Sequence, residues 1–490
     1  MTYTKRRLMT SLAIGNLVAS VLLVAASPDA YAQCGDWKLV STPNVGNSVT
    51  RLTALTSLAP NDAWAVGLWR NDPAGSGPVA MRWDGFAWSL VDLPDTGQLG
   101  TMPQTEGIDA APNGDVWLVG YVTTTYPTNN LPLVLRWRQG AWEQVATVTL
   151  RPQTVYPFAA RGGFAYEVDA ITDDDVWAVG AAVGYGDGGA TSVPLAMHWD
   201  GSSWTDVEVP RVANRHHELG DLVAISHDDV WAVGDYRNVS GTFRGVTYHW
   251  DGSSWSHIPS PIEELSQSGL EDIVATGPDD VWAIGGAPDT GVVLMHWDGS
   301  QWSLAQPPAN SGGSLAAVGT NDLWASGWNG FWHWDGASWT ETPTQVPGAS
   351  YMLRSGGMEI VGNCDIWSAG FWTLTDGITS FTLAERIQTI SSSVGDTPPA
   401  ESKLVFANPF HRMGAIHVRV ASQARVHLSI YDVRGTKVRD LLGPVVMQGD
   451  GSIVWDGLAN SGQNVPDGVY FLRLDAGGQT ITRKLVLIRP

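Results

Sequence analysis

The sequence predicts an all-β protein, a seven-bladed β-propeller followed by a small β-sandwich, and two repeated tryptophan patterns carry that prediction. The segment Asp-(Ala/Val/Leu/Ile)-Trp-x-x-Gly occurs seven times at intervals of 42 to 60 residues, a period typical of propeller blades. Its tryptophans are Trp64, Trp117, Trp177, Trp231, Trp282, Trp324 and Trp367. A pair of tryptophans five residues apart follows each of the first six copies, and most pairs enclose Asp-Gly, a hairpin signal.

Each repeat divides into four predicted strands, A to D, which in the fourth repeat are residues 221–225, 230–235, 246–250 and 255–258. The Asp-Asp turn joins A to B, where we expect a carboxylate to accept free backbone N–H groups. The Asp-Gly turn joins C to D. The tryptophans are expected to fill the layers between neighbouring blades.

The two ends of the propeller sequence predict how the ring closes. The last repeat lacks the second tryptophan pair, whereas Gly35-Asp36-Trp37 resembles the start of a strand D. We therefore expect this N-terminal strand to complete blade seven. The only two cysteines, Cys34 and Cys364, lie in this strand and in the A–B turn of the seventh repeat. A disulfide between them is predicted, provided that strands B and D bring their Cα atoms within about 7 Å.

Composition sets the domain boundaries. Residues 1–32 contain Lys5-Arg6-Arg7, an apolar run and Ala30-Tyr31-Ala32, which predicts a signal peptide, with a retained membrane anchor as the alternative. The propeller is assigned to residues 33–390, a linker to 391–402 and the second domain to 403–490. Residues 33–397 carry 14 Lys and Arg against 41 Asp and Glu, which argues against nucleic acid and anionic lipid as partners.

The propeller repeats resemble two known types. Asp-Asp-Val-Trp-Ala-Val-Gly followed by His-Trp-Asp-Gly-Ser-Ser-Trp is similar to the kelch-like and Asp-box-like propeller repeats of secreted bacterial proteins. The repeats depart from true Asp boxes, which carry Ser-x-Asp before the glycine, and from kelch repeats, which carry a Gly-Gly pair. The resemblance therefore implies the fold more strongly than any function.

The C-terminal domain carries its own resemblance. Asn408-Pro-Phe, Val454-Trp-Asp-Gly and Pro466-Asp-Gly-Val-Tyr-Phe, with an ending of basic and apolar residues, resemble the immunoglobulin-like domain of the flagellar hook-capping protein. They are also similar to the type IX secretion sorting domain. The resemblance implies an Ig-like module for export or surface attachment, and a protein that is secreted or held on the outer surface of a bacterium.

Neither a catalytic spacing nor a metal-binding one is recognisable, so catalysis stays open and no cofactor is predicted, calcium at Asp-rich turns being the alternative. His198, His249, His296 and His333 each precede the first tryptophan of a pair, but Arg82 and Arg136 occupy the same position in two repeats. Arginine does not replace a metal ligand, so a metal shared by these histidines is not expected.

Recognition is expected on the face that carries the B–C and D–A loops, because those loops vary in length whereas the A–B and C–D turns do not. Aromatic, arginine and histidine side chains assigned to those loops are the predicted binding residues. They are Trp69, Arg70, Tyr126, Tyr156, Arg161, Phe164, Tyr185, His216, His217, Tyr236, Arg237, Trp328 and Trp372.

These observations favour a monomeric binding protein that recognises a glycan or a protein through the variable-loop face, with the C-terminal domain contacting export or cell-surface machinery. Two alternatives stay open. A secreted polysaccharide hydrolase or lyase would need two carboxyl groups that converge over the central channel. A structural or adhesive envelope protein would need no small ligand.

Overall fold

In the computed structural model the described residues are 34–45, 49–71, 75–94, 102–123, 130–145, 150, 159–186, 189–212, 215–287, 291–309, 311–327, 330–344, 351–353, 356–362, 364–373, 379–388, 402–406, 410, 414–455 and 457–487. The predicted signal peptide and linker residues 391–401 lie outside them. Within the described part of the chain, no helix has the length and apolar character needed to cross a membrane.

The described residues form 34 strands and one 3₁₀ helix, Pro261–Glu264. The strands that precede the third repeat are β1 (Lys38–Val40), β2 (Val49–Ala59), β3 (Asp62–Asn71), β4 (Gly75–Trp83), β5 (Trp88–Leu90), β6 (Met102–Ala110), β7 (Val116–Thr123), β8 (Asn130–Arg138) and β9 (Ala141–Gln144). Repeats three to five contain β10 (Ala159–Thr172), β11 (Asp175–Gly186), β12 (Gly189–Trp199), β13 (Trp204–Val207), β14 (Arg215–Ser226), β15 (Asp229–Arg237), β16 (Phe243–Trp250), β17 (Trp255–His257), β18 (Gly269–Gly277), β19 (Asp280–Ala287), β20 (Gly291–Trp297) and β21 (Trp302–Ala305).

The remaining strands are β22 (Ser311–Gly319), β23 (Asp322–Gly327), β24 (Gly330–Trp334), β25 (Trp339–Pro343), β26 (Tyr351–Leu353), β27 (Met358–Gly362), β28 (Asp365–Thr373), β29 (Ser380–Ile387), β30 (Lys403–Phe406), β31 (Gly414–Asp432), β32 (Lys437–Trp455), β33 (Gly468–Ala476) and β34 (Gln479–Leu487).

The sheets have the topology of a β-propeller. Strands β6 to β25 form five separate four-stranded sheets, each a meander of sequential antiparallel strands. A nine-stranded sheet holds the other propeller strands, and one parallel pair, Val49 with Ser380, joins its two antiparallel halves. The predicted all-β propeller is thereby confirmed, with the A–B and C–D turns on one face and the B–C and D–A connections on the other.

The strands are longer than the sequence predicts, and several predicted loops are therefore strand ends. In the fourth repeat, strand A begins at Arg215 and strand B runs to Arg237. Strand pairing continues almost to the tip of most B–C hairpins, because each backbone hydrogen bond in the ladder is retained as long as the two strands stay in register.

A tryptophan belt, made of the seven motif tryptophans and the pairs they contact, fills the layers between blades as predicted. Trp64 lies 4.8 Å from Trp137 and 5.4 Å from Trp142 in the next blade, between ring centroids. The same contacts recur at four further interfaces, including that of Trp367 with Trp83 and Trp88 across the closure of the ring. Every motif tryptophan is buried.

The N-terminal strand closes the ring as predicted. Strand β1 pairs antiparallel with β29, and the Trp37 ring stacks on Phe331 with centroids 3.6 Å apart. Cys34 and Cys364 form the predicted disulfide with Cα atoms 5.1 Å apart, which the A–B turn allows because Cys364 adopts a left-handed backbone conformation. The bond encloses a loop of 330 residues, for which cross-linking is expected to stabilise the fold by a few kcal/mol.

The C-terminal module is a five-stranded sheet with its own core. Strand β31 pairs with β30, β32 and β33, and β33 pairs with β34. Ile416 and Trp455 are fully buried in this core together with Leu428, Leu472 and Leu485. Alternating apolar residues at 416–421 and 426–431 predict two strands, whereas the structure has the single long strand β31. Its register shifts near Val420 and Val426 bend the strand without ending it.

Candidate binding site at the central channel

The strand-C histidines that precede a tryptophan pair each contact an aspartate of their own blade. The motif tryptophan of strand B lies opposite this histidine, or opposite an arginine, in strand C. That side chain contacts the motif aspartate and covers the tryptophan ring: His249 lies 2.8 Å from Asp229 and 4.4 Å from Trp231. Arg82, Arg136 and Arg386 make the corresponding ion pairs in the other three blades. The position therefore stabilises the blade.

The A–B turn carboxylates also differ from the expectation. Asp174 and Asp228 accept hydrogen bonds from side-chain hydroxyls, those of Thr172 and Ser226. Carboxylates accept backbone N–H groups in the Asp-Gly turns instead: Asp200 Oδ1 accepts those of Ser202 and Ser203, each at 2.9 Å. These bonds to the ionised form lower the pKa of Asp200 to about 2.

The inner strands enclose a cavity of about 400 Å³ on the propeller axis, lined by seven segments of chain. Seven carboxyl groups belong to this lining and are here named the channel carboxyls. They are Asp109, Glu167, Asp169, Asp221, Glu271, Asp272 and Glu359. None of the described lining residues is Lys, Arg or His, so the channel is an acidic, water-accessible space deep in the molecule.

Four channel carboxyls tie neighbouring inner strands together. Asp109 accepts the backbone N–H of Ala170 at 2.8 Å, and Asp169 accepts that of Ala224 at 2.7 Å. Asp221 and Asp272 make the same bond to Ile273 and Leu315. Each bond crosses from one blade to the next, and the partners are N–H groups that the inner edge of a sheet leaves unpaired.

The channel carboxyls hold their protons more tightly than ordinary acids. Asp109 is hydrogen-bonded to Asp169, and Asp221 to Asp272, so each pair shares a proton. Burial raises the pKa of Asp272 to about 7 and that of Glu167 to about 8. Burial and neighbouring carboxylates also raise the pKa of Asp169, Asp221 and Glu359 well above their ordinary values.

Between the channel lining and the variable-loop face, strands β6, β7, β10 and β14 carry an aromatic row flanked by carboxyl groups. Phe164 lies between Tyr121 and Tyr166, with ring centroids 4.7 and 5.8 Å away. The Tyr166 hydroxyl lies 3.4 Å from Glu218 Oε2, and burial raises the pKa of Glu106, on the neighbouring blade, to about 7. We call these five residues the mouth cluster; its aromatic rings and carboxyl oxygens are half-buried.

His216 and His217 lie in strand β14 rather than in a loop, and their surroundings differ. His217 is fully buried, its Nε2 3.3 Å from the Tyr248 hydroxyl, and burial lowers its pKa to about 3. A surface ligand therefore cannot contact it. His216 is partly exposed at a bulge with a φ of 32°, and the carboxylates of Asp235 and Glu218 raise its pKa.

The other predicted binding residues form separate groups rather than one site. The Arg237 guanidinium lies 4.6 Å from the centroid of the Phe243 ring, and Trp372 stacks on Phe381 with centroids 4.7 Å apart. Trp69, Arg70 and Tyr236 also lie on strands, at the ends nearest the variable loops. Tyr126, Tyr156 and Trp328 lie outside the described residues, as do the side chains of Arg161 and Tyr185.

Of the mouth cluster, the sequence predicts only Phe164. The carboxyl groups and tyrosines were missed because they sit on strands A and B, where sequence alone indicates core packing. The glutamates Glu106 and Glu218, each a few residues before the aspartate of its inner strand, were the available signal.

Comparison with known proteins adds a family for the C-terminal domain. Residues 411–479 match the FlgD Ig-like domain, which confirms the predicted resemblance to the hook-capping module. No curated protein matches the chain.

Solved structures show similar propellers at low identity. A protein of unknown function from Dyadobacter fermentans is 10% identical with a TM-score of 0.44, covering 73% of this chain and 99% of its own. An Aleuria aurantia lectin is 12% identical with a TM-score of 0.33, covering 59% and 97%. A xylan β-1,4-xylosidase from Bacillus halodurans is 11% identical with a TM-score of 0.29, covering 91% of each chain. Similarity at this level transfers no ligand or activity.

Proposed function

We propose that the protein is a binding protein whose propeller recognises a neutral glycan at the channel mouth. The observation that carries the proposal is the aromatic row of Tyr121, Phe164 and Tyr166 between the carboxyl groups of Glu106 and Glu218. Aromatic faces stack on the apolar C–H surface of sugar rings, and carboxyl oxygens accept hydrogen bonds from sugar hydroxyls. The two groups side by side offer both kinds of contact.

The negative charge of the propeller limits the kinds of glycan that are expected to bind. Glu167 and Asp221 of the channel follow Tyr166 and Glu218 of the mouth cluster on the same inner strands, and the propeller sequence is strongly acidic. An anionic glycan would meet repulsion at this face, whereas a neutral or amino sugar would not.

The remaining features of the proposal concern the whole chain. Counting the nine-stranded sheet as two blades gives seven, which agrees with the seven lining segments of the channel. We place the propeller among kelch-like or Asp-box-like secreted propellers. The signal peptide, export, location on the cell surface and the monomeric state belong to the same proposal, with the C-terminal domain contacting the export or surface machinery.

A glycan array probed with the purified chain, residues 33–490, tests the proposal. We expect neutral glycans to be retained, and Phe164→Ala to weaken binding at least about tenfold, since loss of a stacked ring removes on the order of 1.4 kcal/mol. Phe243→Ala removes an aromatic ring from the same face outside the mouth cluster and should leave affinity unchanged. Silence on the array, or equal effects of the two variants, would favour a protein partner or a structural role.

Polysaccharide hydrolysis is the second candidate, because burial raises the pKa of Glu106 to about 7, a value suited to a general acid. The hydrogen-bonded channel pairs do not suit this role, since glycosidases hold their two carboxyl groups about 5 Å or more apart. Mass spectrometry of retained glycans separates the candidates. Unaltered glycans support binding alone, whereas product release that Glu106→Gln abolishes would establish the hydrolase.

A further inference from the structure

Two histidines and one aspartate meet on the face opposite the channel mouth. Asp175 Oδ1 lies 2.7 Å from His198 Nε2, and Asp175 Oδ2 lies 2.8 Å from His227 Nδ1. Atoms from all three side chains lie within 4.8 Å of one another. Asp175 and His198 belong to the third repeat and His227 to the A–B turn of the fourth, so the group bridges two blades.

His227 distinguishes this interface from the others. Asp229 with His249, Asp280 with His296 and Asp322 with His333 repeat the first aspartate–histidine pair. The position equivalent to His227, four residues before the next motif tryptophan, is Pro278, Thr320 and Asn363 after those pairs. Thr320 contacts Asp280 as His227 contacts Asp175, which shows that the position faces the preceding blade's aspartate. In the sequence, the position four residues before a motif tryptophan is a histidine only at His227.

The chemistry of the three side chains suits a borderline divalent metal ion. Imidazole nitrogens and a carboxylate oxygen are ligands of Zn²⁺, which binds them at about 2.0 to 2.2 Å and completes its coordination with water. The His227 side chain is 70% exposed and can adjust, whereas His198 and Asp175, 18% and 14% exposed, are held by the blade. The carboxylate of Asp174, exposed in the adjoining turn, adds negative potential that attracts a cation.

We propose that Asp175, His198 and His227 form a surface site for Zn²⁺ or a similar divalent transition metal, which joins the third and fourth blades. The ion takes the place of the two hydrogen bonds to Asp175 and is coordinated by one atom from each side chain. This site does not depend on the proposed function, because it lies on the tight-turn face and shares no residue with the mouth cluster.

Isothermal titration of the full chain with Zn²⁺, after removal of metal with a chelator, tests the site. We expect one ion per chain and an increase in melting temperature, because a ligand that binds only the folded state stabilises it. His227→Ala should weaken binding at least about tenfold. His249→Gln is the matched control, since it removes the equivalent strand-C histidine from an interface without a second imidazole, and it should leave binding unchanged.

Two results would overturn the proposal: no Zn²⁺ binding to the native chain, or binding that His227→Ala leaves intact. Thr320→His provides a second measurement that does not remove any residue of the site. It places an imidazole beside Asp280 and His296, and a rise from one bound ion to two supports the geometry, whereas a stoichiometry that stays at one contradicts it. Co²⁺ in place of Zn²⁺ gives the same count through its visible absorption.

Discussion

The tryptophan belt between the blades repeats nearly the same contacts from one interface to the next, whereas the central channel carries a different set of side chains on each inner strand. Each motif tryptophan of the belt follows an aspartate and lies opposite a histidine or arginine of strand C in all seven repeats. In the channel, strand β10 carries two carboxyl groups, those of Glu167 and Asp169. At the equivalent place strand β22 carries Ser314 and Ala316.

The difference separates stability from chemistry. The belt buries large apolar rings, and most of its charges are paired within the blade, so its residues mainly stabilise the fold. The pair of Asp175 and His198, which His227 of the next blade joins, is the exception. The channel concentrates carboxyl groups whose neutral form burial favours, at a cost to the folded state near neutral pH. Altering one residue of each kind should therefore give opposite effects.

The largest effect is expected from the belt. Trp367→Ala removes a fully buried ring that lies 5.2 and 5.3 Å from Trp83 and Trp88, and we expect it to lower the free energy of unfolding by about 3 to 5 kcal/mol. Urea denaturation followed by fluorescence measures the loss. Leu90→Ala, at a side chain 48% exposed, should change it by less than about 0.5 kcal/mol. Similar losses in both variants would contradict the role given to the belt.

A smaller loss of stability should distinguish two of the arginine–aspartate pairs that accompany the belt. Arg136 and Asp115 form a buried pair, with side chains 7% and 9% exposed. Arg136→Met leaves this carboxylate with only the more exposed Arg138, 3.5 Å away, as a cationic partner and should cost about 2 kcal/mol. Arg82→Met, in the equivalent pair with Asp62, removes a side chain that is 40% exposed and should cost less than about 1 kcal/mol. Equal costs in the denaturation curves would show that burial does not set the strength of these pairs.

The smallest effect concerns the channel and has the opposite sign. Because burial raises the pKa of Glu167 to about 8 and that of Asp272 to about 7, the folded state binds more protons than the unfolded state between about pH 4.5 and 8. Stability from these groups is complete below that range and is lost as the pH rises through it. We expect Glu167→Gln to make the protein at least about 1 kcal/mol more stable than the native chain at pH 8, with no gain at pH 4.

Asp200→Asn is the control for this pH dependence. Its turn hydrogen bonds lower the pKa of the exposed Asp200 to about 2, so the group stays ionised throughout the range and should not alter the slope of stability against pH. If Glu167→Gln leaves the slope of stability against pH unchanged, the Glu167 carboxyl group does not cause the pH dependence.

The belt was predictable from sequence and most of the channel was not. Trp64 and its six counterparts recur with fixed neighbours, so the blades, the closing strand and the disulfide between Cys34 and Cys364 could all be predicted. The pairing of Asp229 with His249 was missed, although both positions recur in every blade that has a complete second motif. The sequence does not reveal the strand register that places the motif tryptophan opposite the strand-C residue, and this register brings the aspartate and the histidine together.

The channel carboxyls escaped prediction for a geometric reason. The register shifts by one residue at Ala165/Glu167, Leu219/Asp221 and Leu270/Asp272, directly before three of them. A bulge exchanges the faces to which alternate side chains point, so simple alternation does not indicate which residues face the axis. The variable-loop candidates were also assigned to loops because sequence marks where a hairpin turns more clearly than where pairing ends.

The closure of the ring also determines how the molecule carries a mechanical load. The described part of the propeller ends at Gln388, whose carbonyl accepts the N–H of Gly35 at 2.9 Å, and the C-terminal domain follows along the chain. A pull on that domain would act along β29, which is paired with β28 on one side and β1 on the other. The strand would have to slide past both neighbours at once. The disulfide from Cys34 to Cys364 fastens the flanking segments to each other, so tension would be resisted by a covalent bond as well as by strand pairing.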